Sequence, residues 1–404
     1  YFYPSFGTSV ILTEAIPALQ DVSFLSFLKV TANNSTVYSD LGAYETSEVF
    51  SQSGSFPLGS VNGFFLSNTA IDSDIKKEKL NSTEFGLNSA LFGGRLNFDA
   101  SYYFTNTENL ITNVSPSVAS AATGYLTNIG KLSGSGYEAT LGGDVIQEQN
   151  FSWNVSANYS HYEQKVDEIQ SGTDEISIGS RQFAIKGQVF PTLKTLSYQR
   201  DDQGRVIVDG ETGVPLSGEV ESQGQITPKH VLGLNTAVNF KGLRVAATMS
   251  YRTGHVYYAT GIDAMEFTGR TVESAASNRN PFVFPNSSYE DPINPGEYIA
   301  NNSVAVSGDR SFWTDQWNNI KENYVRDATA LRLRTLAVNY SLPAQLLSRV
   351  DNVLSKVSVG LVGRNLLTFT PTDQSRFSDP EFSGGGYFSA QPTRSYGFNV
   401  NIEF

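Results

Sequence analysis

The sequence predicts an all-β protein whose strands cross a membrane, and three observations carry that reading. The final stretch alternates Tyr396, Phe398, Val400, Ile402 and Phe404 with Ser395, Gly397, Asn399, Asn401 and Glu403, so a strand there has one apolar and one polar face. The same period of two recurs upstream in segments of about 9–11 residues, the length a tilted membrane strand needs, whereas soluble strands average about 5–6. Tyr is 20, Phe 26 and Gly 35 of 404 residues, a strand-and-turn profile, and no run of 18 apolar residues offers a transmembrane helix.

In chain order, Tyr1 to Thr13 reads as a first strand interrupted by Pro4, and Leu25 to Asn34 as a second, with Leu28, Val30 and Ala32 on one face. A long Ser-, Gly- and Asn-rich loop follows. It carries Tyr38, Tyr44, Phe50, Phe56, Phe64 and Phe65, which either pack the loop onto its neighbours or line a ligand surface. Lys79 to Phe92 and Arg95 to Thr105 form a hairpin about Gly93-Gly94. Gly136 to Val145 and Phe151 to Tyr162 form the next pair, with Trp153 where an interfacial aromatic girdle would place it.

Residues 163 to 228 read as irregular and polar. Asp201, Asp202, Asp209 and Glu211 around Gly204 and Gly210 suit a solvated turn; calcium is the alternative, though the spacing is not that of an EF-hand. His230 to Phe240 and Gly242 to Thr253 make the clearest hairpin, turning at Lys241-Gly242. Arg244 and Arg252 fall on its inner face, expensive in an apolar core and cheap in a hydrated lumen. The segment from about His255 to Asp327, with Pro281, Pro285, Pro292 and Pro295, is longer than soluble domains need; Phe312, Trp313 and Trp317 anchor a short ordered element in it. Ala330 to Leu342, Lys356 to Thr368 and Arg394 to Phe404 complete the strands. Leu331 and Leu333 are out of phase with Leu336, Val338 and Tyr340, so a bulge is expected near Arg334.

A formal net charge of −12 argues against nucleic acid as a partner, and the absence of cysteine excludes disulfides and thiolate chemistry. His161, His230 and His255 are scattered without metal-ligand spacing, so neither an enzyme nor a cofactor is expected.

Short blocks in fixed order carry a resemblance. They include Asn128-Ile129-Gly130-Lys131, Gly136-Tyr137-Glu138, Thr227-Pro228-Lys229, Tyr324-Val325-Arg326-Asp327-Ala328 and Leu331-Arg332-Leu333-Arg334. Asn339-Tyr340-Ser341-Leu342-Pro343, Gly363-Arg364-Asn365-Leu366-Leu367-Thr368, Asp379-Pro380-Glu381 and Gln391-Pro392-Thr393-Arg394 follow. The chain thereby resembles the C-terminal half of a SusC/RagA-like TonB-dependent outer-membrane transporter of Bacteroidetes. The resemblance implies an antiparallel transmembrane β-barrel with long extracellular loops, of which residues 1–404 are the C-terminal part, roughly twelve of about 22 strands. The plug domain, TonB box and N-terminal strands would then be absent, and the first and last strands would pair with that N-terminal half of the same barrel.

It further implies import of oligosaccharides, or oligopeptides, across the outer membrane. The partners would be a SusD-like surface lipoprotein as lid, TonB through the missing region, and the lipid bilayer. Substrate or lid contact is assigned to Tyr257, Tyr258, Trp313, Trp317 and Arg252. Two other readings stand beside it: a non-transporting barrel scaffold in a large outer-membrane complex, and a soluble carbohydrate-binding β-sandwich.

Overall fold

The computed structural model describes residues 2–47, 50–53, 63–120, 122–169, 172–347, 355–371, 379–382 and 392–403. Tyr1, Phe56, Gln391 and Phe404, named in the sequence reading, lie outside them. One 11-stranded antiparallel sheet runs in chain order. Its strands are β1 (Ser5–Ile11), β2 (Leu25–Ser39), β3 (Glu78–Leu91), β4 (Leu96–Glu108), β5 (Gly130–Gln147) and β6 (Phe151–Ile169). They continue as β7 (His230–Phe240), β8 (Leu243–Thr253), β9 (Ala330–Ser341), β10 (Lys356–Phe369) and β11 (Ser395–Glu403).

The expected transmembrane β-barrel is not formed. Within the sheet β1 pairs only with β2 and β11 only with β10, so among the described residues the sheet is open, and it has 11 strands rather than twelve. Alternation dictates two unlike faces. Closure depends on strand number, tilt and stagger, which alternation does not encode.

The two faces follow from register. Trp153, Val238, Val245, Val338, Leu361 and Phe398 stand side by side on six neighbouring strands. One residue away, on the opposite face, stand Ser152, Asn239, Arg244, Asn339, Gly360 and Asn399. The apolar row is bare: Leu361 is 62% and Phe398 68% exposed. A soluble sheet would cover such a face; a membrane sheet offers it to lipid. Thr236, a polar residue on that face, is not orphaned, because it accepts from the Trp153 indole N–H at 2.9 Å and donates to the Asn154 carbonyl at 3.3 Å.

The bulge sits where the phase break places it. Thr248 pairs with Thr335 and Met249 with Leu333, leaving Arg334 as the extra residue, so the apolar positions on either side share one face. Lys241 and Gly242 make the two-residue turn with φ of 45° and 87°, both in the left-handed region that such a turn requires.

The tight turns, 92–95, 148–150 and 241–242, lie at one end of the sheet, and the connections 40–77, 109–129, 170–229 and 254–329 at the other. The buried clusters sit in those long connections and the strand ends that meet them. Tyr198, Val206, Val208, Phe284, Val306, Phe312, Trp313 and Ile320 form one cluster, which joins the two longest connections into a single body. Val114, Ile129, Leu132, Val166, Ile169 and Ala184 form a second. It explains the length of β5 and β6, 18 and 19 residues, whose ends rise out of the bilayer span to carry Leu132, Val166 and Ile169 into the body.

Residues 163 to 228 are more ordered than their composition suggests. They hold a 4-stranded sheet, Glu175–Gly179, Gln182–Ile185, Thr192–Tyr198 and Ser217–Gln225. Thr192, Thr195 and Ser197 are buried in it, so polar residues mask a buried strand.

Candidate functional site

The polar face of the sheet ends, at the long-connection rim, in a cluster of three arginines. Arg252 lies at the end of β8, and Arg332 and the bulged Arg334 on β9. The segment Asp379-Pro380-Glu381 folds onto them. Arg332, 5% exposed, grips Asp379 through Nη1 at 2.8 Å and Nη2 at 2.5 Å. Arg334 holds Glu381 through both terminal nitrogens and donates from Nε to the Ser250 hydroxyl at 2.8 Å, while Arg252 reaches Glu381 at 3.0 Å. Bidentate guanidinium–carboxylate pairs are the strong form of this interaction. Burial acts to raise the Glu381 pKa, but Arg334, Arg332 and Arg252 outweigh it and hold the carboxyl below its usual range.

The second assembly is in the body formed by the long connections. Helix α1 (Thr260–Phe267) presents Asp263 and Glu266, both buried, to the wide π-helical turn Phe312–Trp317 and the residues after it. Asp263 accepts from the Tyr258 hydroxyl at 2.5 Å, from Asn318 Nδ2 at 2.7 Å and from Lys321 Nζ at 3.4 Å. Glu266, 1% exposed, accepts from the Trp317 indole N–H at 2.5 Å. Burial pushes its carboxyl up to about 7, against the pull of Trp317 and Arg326. Burial, with Asp263 close by, also raises the Tyr258 hydroxyl above its ordinary value.

Beside α1 opens a pocket of about 500 Å³, lined by Phe267, Ser274, Arg279, Asp309, Arg310 and Trp313 among others. Neither arginine has an ion-pair partner among the described residues. The Trp313 indole N–H is buried and has no hydrogen-bond partner there. Asn278 and Arg279 at the lip both have positive φ, 51° and 61°. That conformation is uncommon for arginine and clusters at functional sites. A Cβ on Gly308 would stand 2.4 Å from the Asn280 carbonyl, so glycine lets this lip lie flat against its neighbour.

The five residues assigned to substrate or lid contact therefore divide. Trp313 lines the pocket, and Trp317 packs against it with ring centroids 5.2 Å apart. Tyr258 holds Asp263 and lies under the Arg181 guanidinium at 3.9 Å. Tyr257, 5% exposed, packs beside Ile262 and Tyr324. Arg252 belongs to the other cluster, with Glu381. Sequence reasoning passed over Asp263, Glu266, Arg279 and Arg310. Their only signal was position in a long connection rich in aromatics, whereas Asp379-Pro380-Glu381 stood out as a block without showing its partners.

The acidic turns are explained by their own hydrogen bonds. Asp201 accepts from Arg205 Nε at 2.7 Å and Ser288 Oγ at 2.7 Å, and Asp209 from the Thr212 hydroxyl at 2.7 Å. His161 and His230 are not scattered: they stack across β6 and β7 with centroids 4.9 Å apart. Several loop aromatics stay mostly exposed, Tyr44 at 85%, Phe50 at 68% and Phe64 at 66%.

A sheet with one bare apolar face, a polar opposite face and its buried clusters at one rim is that of an integral outer-membrane β-protein. The chain belongs to the family described as TonB dependent receptor-like, beta-barrel, which matches residues 34–289. It is similar to TonB-dependent receptor P3 of Formosa agariphila, 25% identical over 85% of this chain and 36% of that protein. It is also similar to TonB-dependent receptor SusC of Bacteroides thetaiotaomicron, 21% identical over 80% of this chain and 32% of that one. The chain thus spans about a third of the length of these curated relatives. A solved structure of the RagAB peptide importer in the open-open state shares the fold, with a TM-score of 0.71 and 20% identity over 100% of this chain and 42% of that one. Family membership places the chain in the outer membrane.

Proposed function

We propose that this chain forms part of the wall and ligand-facing rim of a TonB-dependent importer of oligosaccharides or oligopeptides, and that it works by binding and gating rather than by covalent chemistry. The observation that carries the reading is the pairing of a lipid-suited apolar face with a polar face whose rim bears a pocketed body. Residues 1–404 would supply the C-terminal sheet, with the plug and the TonB-contacting segment supplied by the rest of a longer polypeptide. The relatives' greater length supports that division.

In this reading ligand meets the body at the pocket beside α1. Trp313 and the unpaired Arg279 and Arg310 contact it there. Trp317 and Tyr258 hold the wall through Glu266 and Asp263, Tyr257 packs beneath, and Arg252 orients Glu381 on the polar face. The exposed Phe50 and Phe64, on the paired strands Phe50–Ser53 and Gly63–Leu66, suit contact with a SusD-like lipoprotein lid, because bare aromatic clusters mark partner surfaces. Uptake of labelled oligosaccharide and oligopeptide mixtures by cells producing the protein tests this. Uptake should vanish when TonB is removed and fall at least tenfold in the Arg279→Ala, Arg310→Ala double variant. Uptake that persists without TonB rejects the import reading; unchanged uptake in the double variant rejects the pocket.

A further inference from the structure

The pocket beside α1 is framed by three pieces of chain: the end of α1, helix α2 (Val272–Ala276) with the turn after it, and residues 309–314. Backbone pairing fixes how the last two meet. Phe282 pairs antiparallel with Val306, and Val283 with Ala305. Gly308 then lies so close to the turn that a Cβ there would stand 2.7 Å from the Ser277 hydroxyl as well as 2.4 Å from the Asn280 carbonyl. The same register, carried two residues further, brings Arg310 to the lip that holds Asn278 and Arg279. Two guanidiniums are thus gathered at one lip, where like charges repel.

The lining supplies one carboxylate, Asp309, and that one is committed to its own turn. Its Oδ1 accepts from the Ser311 hydroxyl at 2.8 Å and from the Phe312 N–H at 3.2 Å, and no ion pair joins it to either arginine among the described residues. Two guanidiniums against one carboxylate leave the lining with one net positive charge. Arg270, Glu273 and Asp315, the other ionisable groups on these segments, lie outside it. The threonines of the lining have already spent their protons. Thr268 donates to the Ala264 carbonyl at 2.9 Å and Thr314 to the Arg310 carbonyl at 3.1 Å, so both offer a ligand only lone pairs. The lining therefore divides into neutral acceptors, which meet the N–H or O–H groups of an oligomer, and cationic donors, which await an acceptor. A neutral ligand filling this space would take water from both guanidiniums and return no charge. A carboxylate returns charge-assisted hydrogen bonds that match the planar fork of arginine.

We propose that the imported oligomer is held in this pocket by a carboxylate between Arg279 and Arg310, carried by a uronate sugar or by a peptide C-terminus. The inference rests on the pocket being where ligand binds, and adds the charge that the ligand carries. The test is isothermal titration calorimetry of the full-length protein, purified from outer membranes in detergent. Four probes separate charge from source: trigalacturonate and its methyl ester, and trialanine and its C-terminal amide. At least one acid should bind at least fivefold more tightly than its neutral partner, and the pair that shows the difference identifies the source. In an Arg279→Gln, Arg310→Gln variant that migrates as folded on unheated gels, that preference should vanish. Asp309→Asn keeps an acceptor for the turn and removes the charge; it should strengthen acid binding at least twofold and leave the neutral forms unchanged. This second variant decides the matter if the first does not fold. No binding of either acid overturns the proposal. If acid and neutral forms bind alike and both weaken in the glutamine variant, the carboxylate falls while the pocket stands. If the folded glutamine variant binds every probe as wild type does, the pocket falls with it.

Discussion

Glu266 is a carboxylate that the fold holds out of water, with the Trp317 N–H as its donor at 2.5 Å. Its folded pKa of about 7 lies above the ordinary 4.5, so the folded body binds the proton more tightly than the unfolded chain does. The stabilisation is complete below pH 4.5 and is lost as pH rises through 7, a change of about 3 kcal/mol by pH 8. Gln keeps an acceptor for Trp317 and cannot ionise. Glu266→Gln should therefore protect the amides of Thr260–Phe267 from hydrogen exchange, relative to wild type, at pH 8 and not at pH 4.5. Equal protection at the two pH values would remove Glu266 as the cause. Nothing local in the sequence marks this residue. Its burial is made by Trp317, 51 positions away, whereas Arg252 and the bulged Arg334 were readable because strand phase alone assigns their face.

At the level of the strand, alternation and pairing make separate predictions. Val400 lies on the bare face of β11, opposite Val359. Val400→Lys should destabilise the protein by about 2–4 kcal/mol if that position lies at the bilayer midplane, and by about 0–1 near an interface. Urea titration of the protein in vesicles measures it, and a loss under about 1 kcal/mol would remove Val400 from the lipid midplane. Gly130, at the start of β5, has φ of 138°, and a Cβ there would stand 1.9 Å from the Glu168 carbonyl oxygen. Both the torsion and the contact are backbone constraints that no rotamer relieves. Gly130→Ala should cut the folded fraction on unheated gels several-fold, while Gly93→Ala, with nothing within 4 Å, should be milder. The strand pairs were legible because eleven periodic segments needed only their neighbours in sequence. The strand Thr192–Tyr198 was not, since it is buried on both faces and so loses the alternation that reveals a strand.

Across the molecule, the two longest connections behave as one body because their apolar residues bury one another. Phe284 and Phe312 from one meet Tyr198 and Val208 from the other. The outcome decides which loop residues can be reached from solvent. Ser288 is 0% exposed and donates to Asp201 at 2.7 Å, whereas Ile293 is 82% exposed. An impermeant thiol reagent applied to intact cells should label a cysteine at Ile293 (Ile293→Cys) and spare one at Ser288 (Ser288→Cys). Labelling of both would show that the body opens; labelling of neither would place it on the periplasmic side.

The sequence by itself determined the strands of the sheet, the face each residue takes, the turn at Lys241-Gly242 and the bulge at Arg334, because period, turn chemistry and phase act between near neighbours. It also carried the family resemblance, which rests on ordered blocks rather than on geometry. Only the tertiary structure decided that the sheet is open, that the buried clusters lie in the connections and the strand ends that meet them, and that Asp379 and Glu381 close on Arg332 and Arg334. It alone brought Arg279 and Arg310 to one pocket and His161 onto His230. Those contacts join residues far apart in the chain, and the free energy that selects them comes from burial and charge pairing in three dimensions, which no local pattern records.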